Sequence, residues 1–227
     1  FDEDLGTNVL DTSGSSNHGT STSAVWVAEG VSGGAMRLDG DGDYILGTTL
    51  GDFGSHLHEG ISIAMWIKAD LPTTQKEFLI GTHNEGASTM FRLAMHERNS
   101  GDFYWYCRDE DGEPRDRRYD YTGVDDGEWH HVVLTADPPA NQVRLYVDGG
   151  LETAEYSAGW GTPNNFVDFQ EPVAIGTINR AAGPASEFFR GLMDDVRIYS
   201  CMLTSNEVYA LYQLPTADTD EDGLLDE

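Results

Sequence analysis

Apolar and polar side chains alternate one by one along much of the chain. Ile61, Ile63, Met65 and Ile67 alternate with Ser62, Ala64, Trp66 and Lys68. Phe103, Trp105 and Cys107 alternate with Tyr104, Tyr106 and Arg108, and Val143, Leu145 and Val147 with Gln142, Arg144, Tyr146 and Asp148. Successive side chains of a strand point to opposite faces, so each run reads as a half-buried strand. Shorter runs at 35–38, 44–46, 78–80, 91–94, 129–135, 173–178 and 195–199 extend the series. Turn pairs such as Gly33-Gly34, Asp39-Gly40, Asp41-Gly42, Asp111-Gly112, Asp126-Gly127 and Gly149-Gly150 separate them. About a dozen short strands with almost no helix predict an all-β chain folded as two packed antiparallel sheets.

One helix is signalled. Thr204 and Glu207 have capping-box spacing, Leu203 and Val208 can staple its start, and Val208, Leu211 and Tyr212 make one apolar stripe. Pro215 is the expected stop, and the expected seat is an open edge or end of the sandwich. Beyond it the composition changes: residues 218–227 contain six acids in ten. The division is therefore a sandwich over 1–214 and an acidic linker over 215–227.

Composition narrows the function classes. Forty acidic side chains against thirteen Lys and Arg give a net charge of -27. A field of that sign repels phosphates and anionic headgroups, which argues against nucleic acid as a partner; it also suits divalent cations or a salt-adapted surface. No apolar run is long enough to insert in a membrane as a helix. The abrupt Phe1-Asp2-Glu3 opening reads as a trimmed piece of a longer protein. Cys107 and Cys201 fit no metal or redox spacing, and a disulfide and two separate thiols stay equally open.

Several segments together resemble the laminin-G-like branch of the concanavalin A-like lectin/glucanase superfamily. They are Phe1-Asp2-Glu3 with Asp11-Thr12-Ser13-Gly14 and Asn17-His18-Gly19, Leu38-Asp39-Gly40, and residues 61–67. Trp129-His130-His131-Val132-Val133-Leu134, Leu145-Tyr146-Val147-Asp148-Gly149 and residues 191–199 follow in the family's order. The resemblance implies a jelly-roll β-sandwich serving as a non-catalytic module of a larger secreted or cell-surface protein. It also implies a structural calcium ion at a rim, with Asp2, Asp11, Asp39 and Asp194 as candidate ligands. The alternative for these acids is to cap turns, as aspartate commonly does.

The tail resembles a thrombospondin type 3 or EF-type calcium loop. Asp218, Asp220 and Asp222 take its first, third and fifth positions before Gly223, with the Leu224 carbonyl and Asp226 further on. Ca2+ is the one cofactor these patterns imply, in place of a merely solvated acidic run.

For a ligand, the aromatic rows suggest sugar. Tyrosine and tryptophan offer flat apolar faces with polar tips, suited to a half-wet surface. Tyr104, Tyr106 and Arg108 share one strand face, Tyr119 and Tyr121 share a face of the next, and Trp160 sits in a glycine-rich loop. Which face is the wet one stays open; Trp66 and Trp129 read as packing residues. Arg92, Arg98, Arg108, Arg115, Arg117 and Arg118 form a local basic cluster in an acidic chain. Guanidinium forks match carboxylate or sulfate, so Arg118 and its neighbours suggest an acidic polysaccharide or glycoconjugate, or else they neutralise Asp109, Glu110 and Asp116.

Catalysis has little support. The Glu-x-Asp-x-x-Glu strand of retaining glucanases is absent, and no other catalytic fingerprint replaces it. His130 and His131 are adjacent on a strand, so they point to opposite faces and cannot share a metal. The expectation is a calcium-stabilised carbohydrate-binding or adhesion module, working beside neighbouring domains. The rivals are a structural or protein-interaction module without a glycan, and a glycan-cleaving enzyme.

Overall fold

The computed structural model describes residues 1, 6–49, 60–70, 75–84, 89–96, 102–108, 113–120, 123–137, 140–154, 156–158, 171–180, 183–184 and 187–217. In chain order the strands are β1 (Asn8–Val9), β2 (Gly19–Thr22), β3 (Val25–Val27), β4 (Ala35–Asp39), β5 (Tyr44–Thr49) and β6 (Ile61–Ala69). Next come β7 (Glu77–Asn84), β8 (Thr89–Met95), β9 (Phe103–Arg108), β10 (Pro114–Tyr119), β11 (His130–Asp137) and β12 (Gln142–Val147). Then follow β13 (Gly150–Leu151), β14 (Tyr156–Ala158), β15 (Pro172–Ile175), β16 (Asn179–Arg180), β17 (Gly183–Pro184), β18 (Arg190–Tyr199) and the helix α1 (Ser205–Ala217).

Two sheets result. The larger has the order β1-β2-β5-β15-β7-β8-β9-β10-β14, with β16 and β17 attached beside β7; the smaller has the order β13-β12-β11-β6-β18-β4-β3. The named strands pair antiparallel, apart from the short β16–β7 contact. The chain is thus the antiparallel β-sandwich that its alternation predicts.

The core lies between the sheets. Met36, Leu38, Ile63, Met65, Ile67 and Met193 of the smaller sheet pack toward Ile80, Phe91, Leu93, Phe103 and Trp105 of the larger. Each side chain of that size contributes roughly 1.5–3 kcal/mol on leaving water, which suffices to hold a two-layer fold of this length together. Cys107 is buried in this layer and Cys201 is exposed, so the two do not form a disulfide.

The helix departs from expectation in its seat and its end. It lies on the outer face of the smaller sheet, where Leu203 and Val208 pack on Ala64, Val133 and Tyr146. That face is apolar enough that covering it gains more than covering an edge. Trp66 and His131 lie 5.0 Å apart, and Tyr212 stacks on them at 5.7 and 6.1 Å. The capping box forms as expected: the Thr204 N–H donates to Glu207 Oε2 at 2.7 Å, and the Glu207 N–H to Thr204 Oγ1 at 3.3 Å. The helix runs past Pro215 to Ala217, because a proline ring fixes φ near the helical value and costs one backbone hydrogen bond.

Gly149 shows how closely helix and sheet meet. Its φ is +76°, and a Cβ there would stand 2.9 Å from the Tyr209 ring, so only glycine fits this turn without displacement.

Candidate functional site

Strands β7 to β10 set side chains alternately toward the core and toward the outer face of the larger sheet. The register pairs Arg92 with Tyr106, Ala94 with Tyr104, and Tyr104 with Arg118, so these residues share the outer face. Phe78, opposite Ala94 on β7, joins them. Phe78, Ala94, Tyr104 and Ile178 form a small apolar cluster there, with half-buried Tyr106 packed against it.

Arg92 is the centre of this face. Its guanidinium carbon lies 4.9 Å from the Tyr106 ring centre, 5.3 Å from Tyr104 and 5.6 Å from Phe78. Arg118 lies 5.1 Å over Tyr104 from the other side of the strand pair. The electron-rich ring faces hold both cations in place. The Arg92 Nε is buried without a hydrogen-bond partner, and no carboxylate pairs with this guanidinium, among the described residues. Asp116 stands beside them: its Oδ2 accepts a long 3.4 Å bond from the Tyr104 hydroxyl, and its Oδ1 is buried with no partner among the described residues. The face thus offers aromatic rings, a guanidinium without a counter-charge and a carboxylate acceptor.

Tyr104 and Tyr106 share this face as alternation predicts, and the register with β10 adds Arg118. Arg108 lies further along the Tyr106 side of β9, half-buried at the strand's end. Tyr119 does not join them. It opposes Phe103, is 2% exposed inside the core, and its hydroxyl donates to the Val143 carbonyl at 3.3 Å. Burial pushes its phenol up to about 12. The reason is parity: adjacent residues of a strand face opposite ways, so Tyr119 cannot share the side of Arg118. Tyr121 and Trp160 lie outside the described residues.

The acids proposed for a rim calcium are tied to the backbone in separate places. Asp11 accepts the Ser13 and Asn17 amides, each at 2.8 Å; burial pulls its carboxyl up, but these bonds and His18 together hold it below its usual value. Asp39 Oδ1 accepts the Asp41 amide at 2.7 Å, and the Asp39 amide donates to Asp43 at 3.0 Å. Asp194 is 1% exposed and accepts from the amides of Val31 and Asp195 at 2.8 and 2.7 Å. Burial raises its carboxyl, against the Phe1 nitrogen and these amides. A bulge in β18 after Asp194, with Asp195 at φ +45°, turns it toward the 31–32 loop. Asp11, Asp39 and Asp194 each accept backbone amides, as aspartates in turns commonly do, and among the described residues no three His, Cys, Asp or Glu side chains are grouped to hold a metal. Asp2, Asp218, Asp220, Asp222, Leu224 and Asp226 lie outside the described residues.

The family model Laminin_G_3, of the Concanavalin A-like lectin/glucanases superfamily, matches residues 39–209. The chain belongs to this family. As a laminin-G-like domain it shares its fold with the receptor binding domain of a botulinum neurotoxin C/D mosaic serotype: 15% identity, TM-score 0.65, 91% of this chain and 51% of the other covered. It is similar also to the botulinum neurotoxin serotype D ligand binding domain in complex with N-acetylneuraminic acid, at 16% identity and TM-score 0.63 over 90% of this chain and 47% of that one. The Ruminococcus gnavus IT-sialidase CBM40 bound to alpha2,3 sialyllactose gives 18% identity and TM-score 0.57, covering 78% and 96%. These are likenesses of fold, and the laminin-G-like domain spans about half the length of the toxin domains. No curated protein matches the chain. No helix among the described residues is long and apolar enough to cross a membrane.

Two parts of the site escape a reading by motif. Arg92 sits in an ordinary alternating run, and its central place emerges only from the register with Tyr104 and Tyr106; counting parity from buried Phe91 and Leu93 would have put it on the outer face. Glu77, 5% exposed, lies in an open cavity of about 520 Å³ whose walls come from three distant segments, with Gly40, Lys76, Glu187, Phe188 and Arg190 around it. Burial raises its carboxyl to about 7.

Proposed function

We propose that this laminin-G-like domain is a non-catalytic carbohydrate-binding module that takes acidic glycans on the outer face of its larger sheet. One observation carries the reading: the Arg92 guanidinium rests on three aromatic rings with no carboxylate opposite it among the described residues. In a chain of net charge -27 a cation without a counter-charge is a distinctive feature, and it fits a carboxylate brought by the ligand. A guanidinium held over rings keeps N–H donors at its edge, suited to a two-pronged bond to a carboxylate. Tyr106, half-buried, supplies the apolar plane for the sugar's C–H face. Support comes also from two proteins of similar fold, whose described ligands, N-acetylneuraminic acid and sialyllactose, both carry a sugar carboxylate.

The chemistry asked of the site is recognition alone. The role is that of a tether, or an adhesion surface, in a larger secreted or surface protein. Calcium in this reading belongs to the tail from Asp218 to Asp226, whose spacing is that of a calcium loop, and its service there is stiffening.

The test is calorimetric titration with N-acetylneuraminic acid, a uronate polymer and a neutral glucan. Acidic ligands bind, the glucan does not, and Arg92→Met weakens acidic binding by about tenfold or more. Equal failure on acidic and neutral ligands would overturn the reading in favour of a structural spacer.

A further inference from the structure

The open cavity around Glu77 is linked to the Arg92 face through Lys76. Lys76, on the cavity's rim, holds its Nζ 5.2 Å from the Phe78 ring, the ring that also carries Arg92 at 5.6 Å. Phe188, another wall residue, bridges to Phe78 in parallel, and the Phe78 N–H donates to the Glu187 carbonyl at 3.1 Å. Cavity and face therefore meet across one aromatic side chain. From this we infer that the cavity is a second subsite, which holds the neutral sugar linked to an acidic sugar bound at Arg92. The inference rests on the glycan-binding reading above and sets its ligand as an oligosaccharide, not a single residue.

The cavity's chemistry selects a neutral hydroxylated ring. Its acids and cations are matched in number: Lys76 pairs with Glu187 at 3.8 Å, and Arg190, whose Nε donates to the Asp39 carbonyl at 3.0 Å, acts by its charge on Glu77. An anion entering there would face Glu77 and Glu187 as well as Lys76 and Arg190, so the lining gives it no net attraction. A purely apolar ligand would bury the Glu77 carboxyl without a hydroxyl to bond it. That carboxyl is 5% exposed, and its one bond within the chain is a long 3.4 Å contact from the Arg190 amide. Since burial brings it to about 7, at neutral pH it both donates to and accepts from hydroxyls. Phe188, 6.4 Å from Tyr44, supplies the flat apolar side that a pyranose C–H face needs. The volume of about 520 Å³ lies within the range of small-ligand sites.

The experiment compares short and extended ligands by calorimetry: N-acetylneuraminic acid against alpha2,3-sialyllactose, and glucuronic acid against a disaccharide that contains it. Glu77→Gln keeps size and one acceptor but abolishes ionisation. It should weaken the extended ligand by about fivefold to tenfold and leave the single sugar unchanged, while Arg92→Met weakens both. If Glu77→Gln lowers the melting temperature sharply, Lys76→Gln at the rim makes the same comparison, with the same selective loss expected. Loss with Arg92→Met, but no difference between ligands in either rim variant, would overturn the second subsite and leave the glycan reading standing. Failure of the unaltered domain to bind any of the four would overturn both.

Discussion

On the outer face of the smaller sheet, Trp66, His131 and Tyr146 lie under α1; on the outer face of the larger sheet, Phe78, Tyr104 and Tyr106 lie under two arginines. Both faces start from aromatic side chains at alternate strand positions. On the first, the chain supplies its own cover, and Tyr212 stacks where a ligand ring otherwise would. On the second, the cover is guanidinium, which shields the rings while keeping donors outward. The lesson is that an aromatic row on a sheet is not by itself a binding face. What closes over it decides whether it contributes stability or recognition.

Three perturbations sharpen that contrast. Trp66→Ala removes the floor of the helix seat, and its expected cost is about 3–5 kcal/mol, read from the urea midpoint. A loss below about 1 kcal/mol would mean that the helix rests on its other contacts instead. His131 comes next. Burial holds its imidazole at about 4, below the ordinary 6.5, with Arg197 adding to this and Asp195 and Asp148 opposing it. Since the folded value lies below the unfolded one, stability from this site is complete above pH 6.5 and falls as the pH drops toward 4. The loss is on the order of 3 kcal/mol. Because Glu77, raised to about 7, has the opposite dependence over the same range, the check is the difference between the unaltered domain and His131→Phe, which should change by that amount from pH 7 to pH 4; parallel curves would refute it. Smallest is the effect of Arg92→Met on stability, expected within about 1 kcal/mol because cation–π contacts at half-exposed sites are weak. A larger drop would place Arg92 among the structural residues, alongside Trp66.

Much of the fold was legible because burial on one side imposes alternation. The runs at 61–68, 103–108 and 142–148 became β6, β9 and β12 with the predicted faces inward. β10 was harder, since its sequence Pro-Arg-Asp-Arg-Arg-Tyr has no apolar alternation; its strand form comes from pairing with β9 and β14. The helix was legible in its cap but not in its seat. Ala64, Val133 and Tyr146 look like the wet side of their strands until another element is known to cover them. In the site, Tyr104 and Tyr106 followed from parity, Arg118 joins them only through the β9–β10 register, and parity within β10 then excludes Tyr119. Glu77 had no local signal, because its burial is made by residues from 40 and from 187–190.

β18 sits between β6 and β4 in the smaller sheet, although it is the last strand in sequence among the described residues. While the polypeptide is being made, β6 and β4 therefore wait with open hydrogen-bonding edges until residues 190–199 have left the ribosome, and such edges invite pairing between nascent chains. Any truncation ahead of Tyr199 leaves a gap in the middle of a layer, and should yield aggregated material even where every residue of the glycan face is retained.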